Sequence, residues 1–113
     1  MVPSAYASGT QTIAALNTEY FLSSPNVAGT FVFEIDTSAM AAGDSLTMNV
    51  YNKVLSGGAV DLCYSWVISG AQSIPVWISV PVPNDLAEAN GLRFSINQTA
   101  GTARSFPWKV LQL

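Results

Sequence analysis

Along much of the chain, apolar and polar side chains alternate one for one. Phe31, Phe33 and Ile35 fall on one side of an extended chain, and Val32, Glu34 and Asp36 on the other. Leu46, Met48 and Val50 alternate with Thr47, Asn49 and Tyr51, and Leu92, Phe94 and Ile96 with Arg93, Ser95 and Asn97. A period of two sustained over five or more residues is the mark of a strand with one buried face. The runs are rich in Val, Ile, Thr, Tyr, Phe and Trp, which suit a pleated, half-buried surface. Phe31, Phe33, Ile35, Leu46, Met48, Val50, Leu92, Phe94 and Ile96 are therefore the expected core.

Turn formers separate the runs. Ser24-Pro25-Asn26 and Ala28-Gly29 precede the Phe31 run, Ala42-Gly43-Asp44 the Leu46 run, and Ser56-Gly57-Gly58 follows it. Pro83-Asn84-Asp85 and Asn90-Gly91 bracket a polar connection with room for one helical turn at Leu86–Ala89, and Thr99-Ala100-Gly101-Thr102 divides the last two runs. Strands are expected near 10–15, 18–23, 30–36, 45–54, 60–68, 74–81, 92–98 and 105–112. Thr37–Ala42 has room for a helical turn, with Met40 closing one end of the core. Eight short strands with turns about every ten residues predict an all-β, single-domain antiparallel β-sandwich, jelly-roll-like. Pro75, Pro81 and Pro83 fall at the ends of one strand and Pro107 inside another. Proline cannot donate to a ladder, so these positions should face an edge, a strand end or a bulge.

Composition changes the picture at one point. The chain has 113 residues, 50% of them hydrophobic but only 10% charged, against about 25% charged in an ordinary domain. A globule of this mass exposes roughly 6,000 Å², so the few charges leave patches of the kind that mark contact surfaces; abundant Ser, Thr, Asn and Gln are the alternative source of polar surface. The cations are Lys53, Arg93, Arg104 and Lys109 against a net charge of −3, too few to track a phosphate backbone, so no direct nucleic-acid partner is expected. Residues 62–84 carry no charge, but Pro75, Pro81 and Pro83 and the polar centre Ser69–Ser73 exclude a spanning helix there, and no membrane partner is expected. Met1-Val2-Pro3-Ser4 opens the chain without a basic region or apolar run, so no signal peptide is expected. Met1–Gly9 reads as an extended N-terminal arm and residues 10–113 as the sandwich. Such an arm reaches about 30 Å, enough to lie across a neighbouring subunit.

Candidate chemistry is sparse. Histidine is absent, so the thirteen serines have no imidazole base. Lys53 and Lys109 stand in strands without a Ser-x-x-Lys spacing. Cys63 is the one cysteine and, between Leu62 and Tyr64, reads as a small core filler. Glu34 and Asp36 share a strand face, with Asp44 beyond the next loop; paired carboxylates serve glycoside hydrolysis and converging oxygens bind calcium, but two acids at i, i+2 on a solvent face are ordinarily just solvated. Ser56-Gly57-Gly58 lacks the lysine and helix of a phosphate loop. Asn97-Gln98-Thr99 fits the glycosylation pattern without a secretory context. The aromatic residues Tyr64, Trp66, Trp77 and Trp108, with Tyr6, Tyr20 and Tyr51, suit core or interface anchors and, alternatively, a sugar-stacking platform. Trp77 is out of phase with Val76, Ile78 and Val80, so one set must face outward or toward a partner. No catalytic, cofactor or metal residue is assigned, and an enzyme is not expected.

Two stretches carry a resemblance: Gly29-Thr30-Phe31-Val32-Phe33-Glu34-Ile35-Asp36-Thr37-Ser38-Ala39-Met40-Ala41-Ala42-Gly43-Asp44, and Asn97-Gln98-Thr99-Ala100-Gly101-Thr102-Ala103-Arg104-Ser105-Phe106-Pro107-Trp108-Lys109-Val110. Together they resemble the small β-sandwich decoration, or cement, proteins on the capsids of tailed bacteriophages. The resemblance implies a structural virion protein, made in the host cytoplasm, that binds and stabilises the assembled head shell. Its partners would be the major capsid protein and copies of itself, as a homotrimer. Val2, Pro3, Tyr6, Trp77, Pro107 and Trp108 are the expected partner-binding residues, and the apolar C-terminus Trp108–Leu113 fits the same role. The alternative is a carbohydrate-binding β-sandwich module of a phage tail or fibre.

Overall fold

The computed structural model describes residues 2–85 and 91–113; Met1 and the expected helical turn at Leu86–Ala89 lie outside them. Nine strands, and no helix among the described residues, form two antiparallel sheets: β1 (Ser4–Thr12), β2 (Tyr20–Ser23), β3 (Gly29–Asp36), β4 (Ser45–Asn52), β5 (Asp61–Ser69), β6 (Val76–Ile78), β7 (Val82–Asn84), β8 (Arg93–Ala100) and β9 (Ser105–Gln112). One sheet runs β1-β9-β3-β6, with β7 also on β3, and the other β2-β8-β4-β5. The all-β sandwich is thus as expected. Its strand order follows from one long, nested hairpin. Ser4 pairs with Gln112, Phe21 with Ser95, Glu34 with Ile78 and Thr47 with Val67, all centred on the Ser56-Gly57-Gly58 turn. Rolling that hairpin so that successive strands alternate between sheets gives a jelly roll.

All nine residues of the expected core are buried, at 2% exposure or less. Phe33 on β3 meets Phe94 on β8 with ring centroids 5.1 Å apart, bridging the sheets. Phe106 and Val110 on β9 join them, and Met40 closes one end. The expected helical turn at Thr37–Ala42 is instead two successive tight turns, in which Met40 N–H donates to the Thr37 carbonyl and Asp44 N–H to that of Ala41.

Three expectations change. The stretch read as an arm is extended, but from Ser4 onward it is the first half of β1, hydrogen-bonded along β9. Apart from Tyr6 its side chains are small, so it packs little while its backbone pairs. The strand expected at 74–81 is two strands. Ser79 interrupts the ladder because its hydroxyl accepts the Phe33 N–H at 2.9 Å while its own N–H donates to the Phe33 carbonyl at 2.8 Å. Cys63 is exposed and not a core filler: β5 is an edge strand, and a bulge opposite Val50 and Tyr51 leaves Cys63 outside the β4 register.

Pro107 lies inside β9, between β1 and β3, yet breaks no ladder. Ile13 N–H donates to the Arg104 carbonyl of the β1 side, and Leu113 N–H to the Thr30 carbonyl of the β3 side. Backbone groups of alternate residues point to opposite neighbours, so Pro107 faces β3. The β3 register ends one residue earlier, at Ile35–Trp108. The missing donor thus falls at the end of the β9–β3 ladder, a strand-end position of the kind expected for proline.

Candidate functional site

The expected partner-binding residues divide between two ends of one sheet. Trp77, Ile35 and Trp108 lie in one cross-strand row, which Gly9 opposite Trp108 completes. An added Cβ at Gly9 would sit 3.4 Å from the indole, in ordinary contact with the ring. Both tryptophans are half-buried and pack on the core, while Pro107 is exposed beside them. A groove of about 310 Å³ opens here on the outer face, lined by Glu34, Asp36, Val76, Pro107, Trp108 and Lys109. At the far end, Val2 and Pro3 are exposed. Tyr6 is an anchor: its ring stands edge-on to Phe31 at 5.3 Å, and its hydroxyl donates to Asn26 Oδ1 at 3.2 Å.

The carboxylates do not converge. Glu34 approaches Lys109 at 3.8 Å on the surface, an exposed pair of little energetic weight. Asp36 accepts the Ser38 N–H at 2.9 Å, and that bond holds its carboxyl below the usual range. Asp44 is buried at the far end of the β3–β4 loop, where it accepts from Ala41 N–H (2.9 Å), Thr102 N–H (3.0 Å) and Arg104 Nε (2.8 Å). The Ala41 bond acts first against the cost of burial; with Arg104 and Thr102 it holds the carboxyl below the ordinary aspartate value. Asp44 ties the β3–β4 loop to the β8–β9 loop, joining the two stretches that carry the resemblance.

Glu19, half-buried, is a second carboxylate tie that pattern reading missed. It reaches across the outer face of the β2-β8-β4-β5 sheet and accepts from Ser95, Tyr51 and Asn49. Burial pushes its carboxyl up, but these three donors together outweigh burial and hold it low. The same contact raises the Tyr51 phenol. The Cys63 thiol donates to the Val50 carbonyl at 3.2 Å, and burial of the sulfur pushes its pKa up. That is the opposite of the shift an activated thiolate needs. No cluster of three metal-ligating residues occurs among the described residues.

A second exposed feature is apolar. On the side of the sandwich formed by β5 and β6, Leu62, Tyr64, Val67, Ile74, Val76, Ile78 and Val80 are all exposed. They are the structural expression of the charge-free stretch 62–84. Trp77 is the member of the β6 alternation that turns inward, so Val76 and Ile78 are the set left outside. Trp66 from β5 and Trp77 and Ile78 from β6 line a small cleft between the sheets, and Tyr64 stacks on Trp66 with centroids 5.4 Å apart. Tyr64 and Trp66 pair with Val50 and Met48, both core residues, so their rings lie on the inward face at an uncovered margin and not on a flat outer platform. A wider groove of about 470 Å³ continues along Gln72, Ile74, Val76 and Ile78. Set against known protein families, curated proteins and solved structures, the chain matches none.

Proposed function

We propose that this protein is a structural component of a larger assembly, a decoration protein that binds and stabilises the head shell of a tailed bacteriophage. The observation that carries the reading is the charge-free flank of 62–84, on which seven large apolar side chains stand exposed. Exposed apolar side chains concentrated on one edge of a domain mark surface that is covered in use. Jelly rolls serve viral capsids and lectins among other roles, so the fold permits the role without assigning it. The resemblance of Gly29–Asp44 and Asn97–Val110 to capsid decoration proteins is what points this reading to a phage head.

The chain's chemistry accords with a binding role. Glu19 and Asp44 are occupied in holding loops to sheets, and the Cys63 thiol is shifted up, away from activation. Purified protein mixed with undecorated shells of the phage that encodes it should co-sediment to a fixed stoichiometry. Replacing Ile78 with Lys on the exposed flank should weaken that binding at least tenfold while leaving the free energy of unfolding in urea within about 0.5 kcal/mol of wild type, the usual span for surface changes. Saturable binding to a glycan array with none to shells would support the carbohydrate-binding alternative and refute the proposal.

A further inference from the structure

The margin of the flank is a strand edge, and its backbone gives it a specific occupant. Natural sheets protect their edges with short strands, prolines, bulges or charge. β2, β6 and β7 are three or four residues long, and β1 carries a bulge between Ala5 and Ala7 and only small or polar side chains around Tyr6. β5 has nine residues, contains no proline or lysine, and is bulged only near its start. Among the described residues, only β4 pairs with it.

Gly70 N–H donates to the Asp44 carbonyl on the β4 side. Alternation then turns the backbone groups of Ser69, Val67 and Ser65 away from β4, toward solvent. Gln72 Nε2 already covers the Ser69 carbonyl at 2.8 Å, so the open pairing groups centre on Ser65 and Val67.

We infer that β5 pairs antiparallel with β5 of a second copy, about a two-fold axis at Ser65, joining two four-stranded sheets into one of eight. In this register Ser65 faces its own copy in a hydrogen-bonded pair, and Tyr64 faces Trp66 of the other copy. Val67 stands opposite the bulged Cys63. The strand's single charge, Asp61, lies at opposite ends of the pair, near the other copy's Ser69, so no like charges meet. Nine residues span about 30 Å, and the Cα trace is 19 Å across its thin dimension. The outline of that side is roughly 600 Å², at a strand rise of ~3.4 Å per residue, and its corrugated accessible surface is larger. This approaches the ~800 Å² per partner of a standard interface. Val76 and Ile78, on the outer face of the other sheet, stay free for a different partner.

The inference deepens the assembly reading but is tested apart from it. In a Cys63→Ser background, Ser65→Cys should form a disulfide-linked dimer on oxidation, since a hydrogen-bonded antiparallel pair sets Cα atoms about 5.5 Å apart, within disulfide range. Val67→Cys in the same background should not, because the two copies of residue 67 would be offset by four residues, about 14 Å. The unmodified protein should sediment as a dimer at about 100 µM, and Val67→Lys should raise the dimer Kd at least tenfold with an unchanged circular dichroism spectrum. A monomer, a trimer, or equal cross-linking by both cysteine variants overturns the pairing. A dimer that ignores shells overturns the decoration role and leaves the pairing intact.

Discussion

Phe33→Ala is expected to lose roughly 3–5 kcal/mol of folding stability, and Phe94→Ala as much. Each side chain has no exposed surface, and the two rings touch across the sandwich at 5.1 Å. Truncation removes the ring's transfer free energy and leaves a cavity between two sheets that are pinned by their ladders and cannot close on it. A domain of this size has a total stability of roughly 6–17 kcal/mol, so either change removes a large share, and the double variant should not fold. Because the rings are in contact, the two losses should not add. Phe21→Ala, at an exposed position, should cost less than about 1 kcal/mol. Urea unfolding of the three single variants checks the inward and outward assignment directly; equal midpoints for Phe33→Ala and wild type would contradict it.

Asp44→Asn should cost about 3 kcal/mol, the low end for breaking a buried ion pair, because Arg104 retains some solvent contact. An amide cannot replace this carboxylate. Three donors converge on it, and an Asn NH₂ would set a fourth donor against them. The linkage has a definite sign. The folded-state pKa of Asp44 lies below its ordinary value, so its stabilisation is complete above that ordinary value and is lost as pH falls through the folded one. Glu19 behaves alike. Wild-type stability should therefore hold from pH 7 to about pH 5 and fall below about pH 4. Asp44→Asn should start lower and lose less on acidification, with Glu19 and Asp36 supplying the remaining slope. Gly101→Ala should damage the same lock: its backbone has φ +87°, and an added Cβ would overlap the Asp44 carboxylate. Denaturation midpoints between pH 3 and 7 measure all three.

The strands that the sequence reveals are those whose alternation sets large apolar residues against polar ones, as at Phe31–Asp36 and Leu46–Tyr51. β1 escapes that test because Ser4–Thr12 offers the core little except Tyr6, and a strand that pairs without packing looks like an arm. The break between β6 and β7 is invisible to periodicity, since it depends on the Ser79 hydroxyl meeting a backbone group 46 residues away. Glu19 and Asp44 are hidden for the same reason: their partners lie 76 and 58 residues distant. Of the expected contact residues, Trp77 led nearest to the exposed flank, through its phase against Val76 and Ile78. The signal that would have found the whole flank was the absence of charge from 62 to 84, which excludes a spanning helix but also leaves β6, β7 and all of β5 beyond Asp61 without charges.

Shell binding should come from apolar and backbone contacts, because the chain has so few charges to spend on ion pairs. Salt screens exposed charges and leaves apolar burial nearly intact. The decisive measurement is co-sedimentation of the protein with undecorated shells over a salt series from about 0.05 to 0.5 M, where the Debye length shortens from roughly 14 to 4 Å. The account predicts a shell Kd that changes by less than about threefold across the series. A Kd that rises a hundredfold, or no binding at any salt, would contradict it.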